Sequence, residues 1–499
     1  MGNRKRKKGR KRRASPKKKP QGGAFFFKDP FSQIPRERLM PALVEHAKAS
    51  KQKFQETLDS ICTVLRSNEP LQVITTLAVF GLSTGMADDG KLTSLSKNNR
   101  ISQAHVELVQ ALSLTIPATE IQNSPPNGHA IQQLFDLLPK LGDSFVHQRM
   151  IVLEQERSDE QKAITLVQEL LRMHTQSVRN WGYFDNVRRV VHELYEPLDG
   201  AFTEHVGLSA TQLAAAFVGL LRNAEQRINT AFNQLRDVLS KRSVASMIRR
   251  YYELNPQFTD TPDGLLALAN KEQLTVDQTR VLVLSHIEYR LASIYTFSAA
   301  SIASELAVAE EQVTRVFNRL SLSFGELASH QIDHLFLDNP VWRKPVIKIG
   351  LGRYFCAIPQ AFFSFVRPIL DDLISDNQPL EQTCEKRRAD FLESELAQLF
   401  AKAFPGAQII AGFRWRFEGK EYENDLLVRV DSALVTHRGE IGDGLMAGPK
   451  GRTGESQEAH RGAINCAFYS IRSLGRTHQD SPQITRIARC ISSGIECAA

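Results

Sequence analysis

The apolar residues of the chain change period twice. From about Pro35 to Asp338 they recur at three- and four-residue steps, and the segments 43–66, 104–112, 130–138, 160–173, 187–194, 211–239 and 275–294 each predict a helix with one packed face. Turn-forming residues break the pattern at Asn68-Glu69-Pro70, at 123–128 and at Asn255-Pro256. No fixed-period repeat is present, so a stacked solenoid is not expected. Between residues 339 and 378 prolines and aromatics take over, and the runs on either side of Gly350 to Gly352 predict two short strands around a turn. From residue 388 a last helical stretch gives way to β-rich runs.

The stretch from Phe297 to Leu320 resembles a helix-turn-helix. Ile302, Ala303 and Leu306 would pack its first helix, and Val313, Val316, Phe317 and Leu320 its second. That resemblance puts Gln312, Thr314, Arg315, Asn318 and Arg319 on an exposed recognition face, with Arg315 and Arg319 as nucleic-acid contacts. An ordinary helical hairpin carries the same pattern and is the favoured reading. In the aromatic stretch that follows, interleaved rings and basic residues could stack bases. A buried interdomain hairpin is favoured there, with residues 375–379 as a hinge.

Residues 388–435 carry the most chemistry. Phe391, Leu392, Leu396, Leu399, Phe400 and Ala403 fall on one helix face, and Pro405-Gly406 ends the helix. Strands are predicted at 409–410, 413–417 and 426–430, with Gly419-Lys420 as the turn between the last two. The helix L-E-x-x-L-A-x-L-F (Leu392 to Phe400) and the strand Y-E-N-D-L-L-V (Tyr422 to Val428) resemble the front half of a PD-(D/E)xK nuclease core, of the restriction-endonuclease-like and nuclease-related branches. The resemblance implies metal-dependent cleavage of DNA with Mg²⁺ as cofactor. Asp425 would be its metal ligand and leading catalytic residue, and Glu393 the helix acid with Glu395 as its rival. A hard cation needs such carboxylate oxygens while keeping positions open for water and phosphate.

The family's E-x-K does not follow. Glu440 comes after the strand and is the candidate second metal ligand, but Gly442 stands where lysine is required. From Thr436 to Ala499 apolar periodicity fades, Gly and Arg rise, and three of the six cysteines appear. Reading the codons of this stretch one base later permits a translation that begins LIEAKSATVSWPALRGAPESLKKHIEELL, which restores an E-x-K and then an amphipathic helix. A frameshift near residues 432–436 is therefore expected, and a divergent natural tail is the alternative.

Composition adds a basic arm. Residues 1–23 carry 12 Lys or Arg and no acid, so without them the formal charge of +8 falls to −4. Such a segment should be disordered. Arg10 and Arg12 stand for its nucleic-acid reading, with a solubilising leader or an import signal as the alternatives. Six irregularly spaced cysteines give no disulfide framework or CxxC pair, and no apolar segment follows the basic start as in a signal peptide. Leu71 to Ala87, the longest uncharged stretch, is too polar for a membrane span, so a soluble, cytoplasmic protein without membrane contact is expected. His330 and His334, with Asp333, could share a helix face but lack a third ligand.

The expected class is α+β. Its parts are an arm (1–23), a helical region (24–295), a helix-turn-helix-like segment (296–338), an aromatic hairpin and hinge (339–378), an incomplete nuclease-like core (379–435) and an irregular tail (436–499). Two functions compete. One is a metal-dependent nuclease acting on DNA, inactive in this form. The other is a non-enzymatic DNA-binding or regulatory protein that uses the helix-turn-helix-like segment and the arm.

Overall fold

A computed structural model of the chain describes residues 35–82, 84–86, 92–94, 101–149, 184–417, 420–430 and 433–437, with isolated positions between 158 and 179. The arm with Arg10 and Arg12, Glu440 and the chain past residue 437 lie outside the described residues.

Among those residues the protein is α+β, mainly helical with small sheets. It opens with α1 (Arg36–Ser67), α2 (Pro70–Leu82), a short hairpin of β1 (Thr84–Met86) and β2 (Leu92–Ser94), α3 (Gln103–Leu114) and α4 (Gly128–Gln148). α1 and α4 pack along each other, and α2 and α3 close over them. The uncharged stretch 71–87 is mostly α2, started by the Glu69 carboxylate, which accepts the Leu71 and Gln72 amides at 3.2 and 2.6 Å. α2 is buried nearly all round, as a helix without a polar face must be. No helix among the described residues is long and apolar enough to cross a membrane.

Next come α5 (Phe184–Tyr195), α6 (Asp199–Val206), α7 (Ala210–Leu239), α8 (Val244–Glu253), α9 (Pro262–Lys271) and α10 (Val276–Arg290). Ser209 and Gln212 form the capping box that starts α7. The first half of α7 sinks Leu213, Phe217 and Leu220 into the main core. Its second half emerges to hold a satellite core of Val238, Met247, Tyr251 and Val283 with α8 and α10.

The middle of the chain forms β3 (Thr296–Ser298), α11 (Ala299–Leu306), α12 (Glu310–Arg319), β4 (Ser321–Leu322), α13 (Ile332–Leu337), β5 (Val346–Gly350) and β6 (Arg353–Phe355). The strands join as β3-β6-β5-β4, with β4 parallel to β5 and the other pairs antiparallel. The hairpin expected around Gly350 to Gly352 is present, and Gly352 takes the left-handed φ of 60° that its tight turn needs. Tyr354, Phe355 and Phe362 are fully buried, so these rings serve the core and are withdrawn from base stacking. Then follow α14 (Ala361–Ser364), α15 (Val366–Ile374) and α16 (Gln378–Ala403).

α16 belongs to two packings. Leu380 and Cys384, near its start, join a main core that reaches back to Phe54, while its later turns lie on a three-stranded antiparallel sheet. That sheet is β7 (Gln408–Phe417), β8 (Lys420–Val430) and β9 (Ala433–His437), in that order. The two runs expected at 409–410 and 413–417 are one strand. Gly412 between them has φ 63°, so the backbone kinks there without leaving the ladder. The apolar face expected on α16 is only partly covered, with Leu392 40% and Leu399 61% exposed.

Candidate functional site

Asp425 lies on β8, the middle strand, half-buried, where the ladder passes into the fully buried Leu426, Leu427 and Val428. Successive strand residues point to opposite faces, so three consecutive buried residues mean that the sheet is covered on both sides at this point. Across the ladder Asn424 pairs with Phe413 and Leu426 with Ala411, which leaves Gly412 facing Asp425.

Glu393 is half-buried on α16, the helix that packs on β7 and β8, so Asp425 and Glu393 belong to one helix-on-sheet unit. Glu395 is drawn off to the helical body, where its carboxylate accepts from Arg189 at 3.1 Å. Among the described residues no group of three or more His, Cys, Asp or Glu could hold a metal ion. His330 and His334 do not share a helix, because α13 begins at Ile332 and leaves His330 in the preceding loop.

The helix pair α11–α12 forms with the expected packing: Ile302 and Ala303 are buried on the first helix, and Val313, Val316 and Phe317 on the second. Its turn passes through Ala307 in the left-handed region at φ 53°. Part of the predicted recognition face meets the protein itself, while Arg315 and Asn318 are exposed. Arg319 pairs with Asp376 at 3.2 Å, and His205 contacts the same carboxylate at 2.8 Å. That contact with His205, and Arg319 after it, hold the Asp376 carboxyl below the usual range. Tyr354 donates to the Asn318 side-chain oxygen and the Thr314 carbonyl at 3.2 and 3.3 Å. The Arg315 guanidinium lies over Gly207.

One buried charged group stands apart from both regions. Glu107 accepts from Arg179 at 2.7 Å, from the Trp342 indole at 2.8 Å and from Gln103 at 2.6 Å, while the Arg179 guanidinium lies over the Phe365 ring at 4.8 Å. Every side of the pair is satisfied, and it locks α3 to the segment before β5.

Comparison with known proteins finds no matching family model, no matching curated protein and no matching solved structure.

Proposed function

We propose that residues 378–437 are the front half of a PD-(D/E)xK-type nuclease unit that acts on DNA phosphodiesters, and that this chain lacks the residues to complete its site. The observation that carries the reading is the register of β8 and β9. Val428 pairs with Val435, Leu427 with Thr436 and Leu426 with His437, so a ladder continued by one pair would set position 438 against Asp425. In the chain as it stands position 438 is arginine and position 440 glutamate. In the reading frame one base later, positions 438 and 440 are glutamate and lysine. Only that frame would place a second carboxylate beside Asp425, with a lysine two residues on along the same face.

The residues present do not fit Mg²⁺, because the sequence has arginine at position 438, where the reading needs a second carboxylate. The expected activity of the chain as given is therefore nil. Resequencing the gene across residues 430–445, then expressing the one-base correction, tests the reading. The corrected protein should cleave DNA with Mg²⁺ and lose that cleavage on Asp425→Ala. A corrected protein that cuts equally well with Asp425→Ala sinks it.

A second reading, DNA binding without cleavage, rests on the strand arrangement around α11–α12. The helix pair is followed by the β5–β6 hairpin, whose tip residue Leu351 is 95% exposed beside Gly350 and Gly352, and the hairpin pairs back to β3 as in a winged helix-turn-helix. Two acids in the first turn of α12, Glu310 and Glu311, oppose a phosphate there. On this reading Arg315→Ala with Arg319→Ala abolishes duplex binding; retained binding rejects it.

A further inference from the structure

Three concavities open along α7, and the middle one shares wall residues with each of the others. The first, of 430 Å³, lies against α8 and α10, and the third, of 690 Å³, against α5. Between them a smaller one of 110 Å³ shares Asn223 and Arg227 with the first and Glu305 with the third. The α7 residues that line the third and the first run from Thr211 to Gln234 as a stripe ~35 Å long at the helical rise of ~1.5 Å per residue, and it turns about a third of the way round the helix between Arg222 and Arg227. Small residues such as Ala215 and Ala231 leave the room, while at Gly219 the Glu305 carboxylate lies against the helix.

The charge along this groove is unbalanced. Its carboxylates are Asp185, Glu193 and Glu305, and the first two answer Arg188 at 3.9 Å and Arg189 at 2.6 Å. Against the remaining carboxylate, Glu305, stand three guanidiniums. Arg222 is exposed and has no ion pair among the described residues. Arg227 reaches only the carbonyls of Ser293, Ile294 and Thr296, at 3.3 to 3.4 Å. Arg290 donates to the side-chain oxygen of Asn255 at 2.8 Å. Between the arginines stand the neutral amides of Asn223, Gln226 and Gln234, which offer both donors and acceptors.

We propose that this groove binds a single strand of nucleic acid. A row of unneutralised guanidiniums suits a polyanion, and amides can meet base edges without adding charge. The stripe spans roughly ten stacked nucleotides at the ~3.4 Å spacing of charges on one strand. A concave channel encloses one strand, whereas a duplex is read by an element that projects into its own groove. At the α5 end, Arg189 is bonded to Glu395, two residues past Glu393, so the channel leads to the helix of the proposed nuclease unit. The inference names the substrate strand for that unit and rests on the nuclease reading for that link alone.

The test uses the full chain as given, without metal, and follows the fluorescence anisotropy of a labelled 12-nucleotide oligothymidylate over a series of salt concentrations. The basic arm contributes equally to every variant. Arg222→Ala should weaken binding and lower the slope of log affinity against log salt by ~0.7, the value for one phosphate contact on a single strand. Gln226→Glu should weaken binding at least about threefold at low salt, and Glu305→Gln should tighten it, since each changes one charge facing the strand. Gln226 and Arg222 are exposed, and unchanged thermal melts establish that the variants are folded. Unchanged affinity and slope in all three overturn the proposal and leave the arm as the binder. So does displacement of the strand by equimolar duplex of the same length or by poly-glutamate. Failure here with cleavage by the corrected protein would spare the nuclease reading; the reverse result would spare the groove.

Discussion

Gly412 stands across the β7–β8 ladder from Asp425, and it is the residue of β7 with positive φ. Glycine reaches φ 63° at no steric cost, whereas a side chain there costs ~1–2 kcal/mol. A Cβ on Gly412 would meet nothing within 4 Å, so the penalty is one of backbone and not of crowding. Gly412→Ala should therefore destabilise the helix-on-sheet unit by that amount and leave the main core unchanged. Hydrogen exchange localises the effect: faster exchange confined to β7 and β8 is expected, and unchanged exchange there refutes it.

His105 makes stability depend on pH. Burial pushes its imidazole down to about 4, against the opposing pull of Asp143, and the neutral ring accepts the Ser102 amide at 3.0 Å to cap α3. The unfolded chain binds this proton near pH 6.5 and the folded chain only near pH 4, so stability rises with pH across that window. The full loss on acidification from 6.5 to 4 is about 3 kcal/mol. His105→Gln keeps a side chain that can complete the capping box and removes the titration. Urea midpoints measured at pH 4.5 and 7 should differ less in this variant than in the parent, and an equal difference rejects the assignment.

Arg179 is the counter-charge of a carboxylate that water does not reach: the Glu107 side chain is 1% exposed. Removing one member of such a pair costs about 3–5 kcal/mol, chiefly from the charge left behind. Arg179→Met should show that loss in denaturant unfolding, and adding Glu107→Gln should return a large part of it. Additive losses in the double variant would mean that the two residues are not coupled.

Leu399 lies 61% exposed on a helix whose other face packs on the sheet. Leu399→Lys is expected to leave the melting temperature of the chain as given within about 2 °C and to raise its solubility, because a surface charge replaces exposed apolar area. In a corrected protein whose restored helix covers α16, the same change should destabilise by about 2 kcal/mol. Equal melts of the two corrected proteins would show that α16 has no such partner.

The sequence told most where a residue's role is local. α1, α3, α5, α7 and α10 were legible from apolar spacing, as were the helix pair and the hairpin at 346–355, because half-buried elements repeat apolar residues at the period of their own geometry. α2 was not assigned, since burial on every side leaves no polar face to mark the period. Asp425 stood out as an acid entering an apolar strand, but Gly412 opposite it did not, because register is set by pairing across a turn. Arg319 read as a free recognition residue because Asp376 is 57 positions away in the chain. The groove was invisible for the same reason: Arg222 and Arg227 look like ordinary surface charges until α10 brings Arg290 to the opposite wall.

Among the described residues the main core closes between Phe54 and Cys384 and takes none from β7 or β8. Damage to the sheet is thus contained: a lesion past residue 432 leaves the helical body, the α7 groove and the buried Glu107–Arg179 pair as they were. On the proposals made here, a chain that has lost the means to cut keeps the means to hold. Such a molecule, present beside an intact copy, would act as its competitor and occupy strands that the intact copy would otherwise cleave.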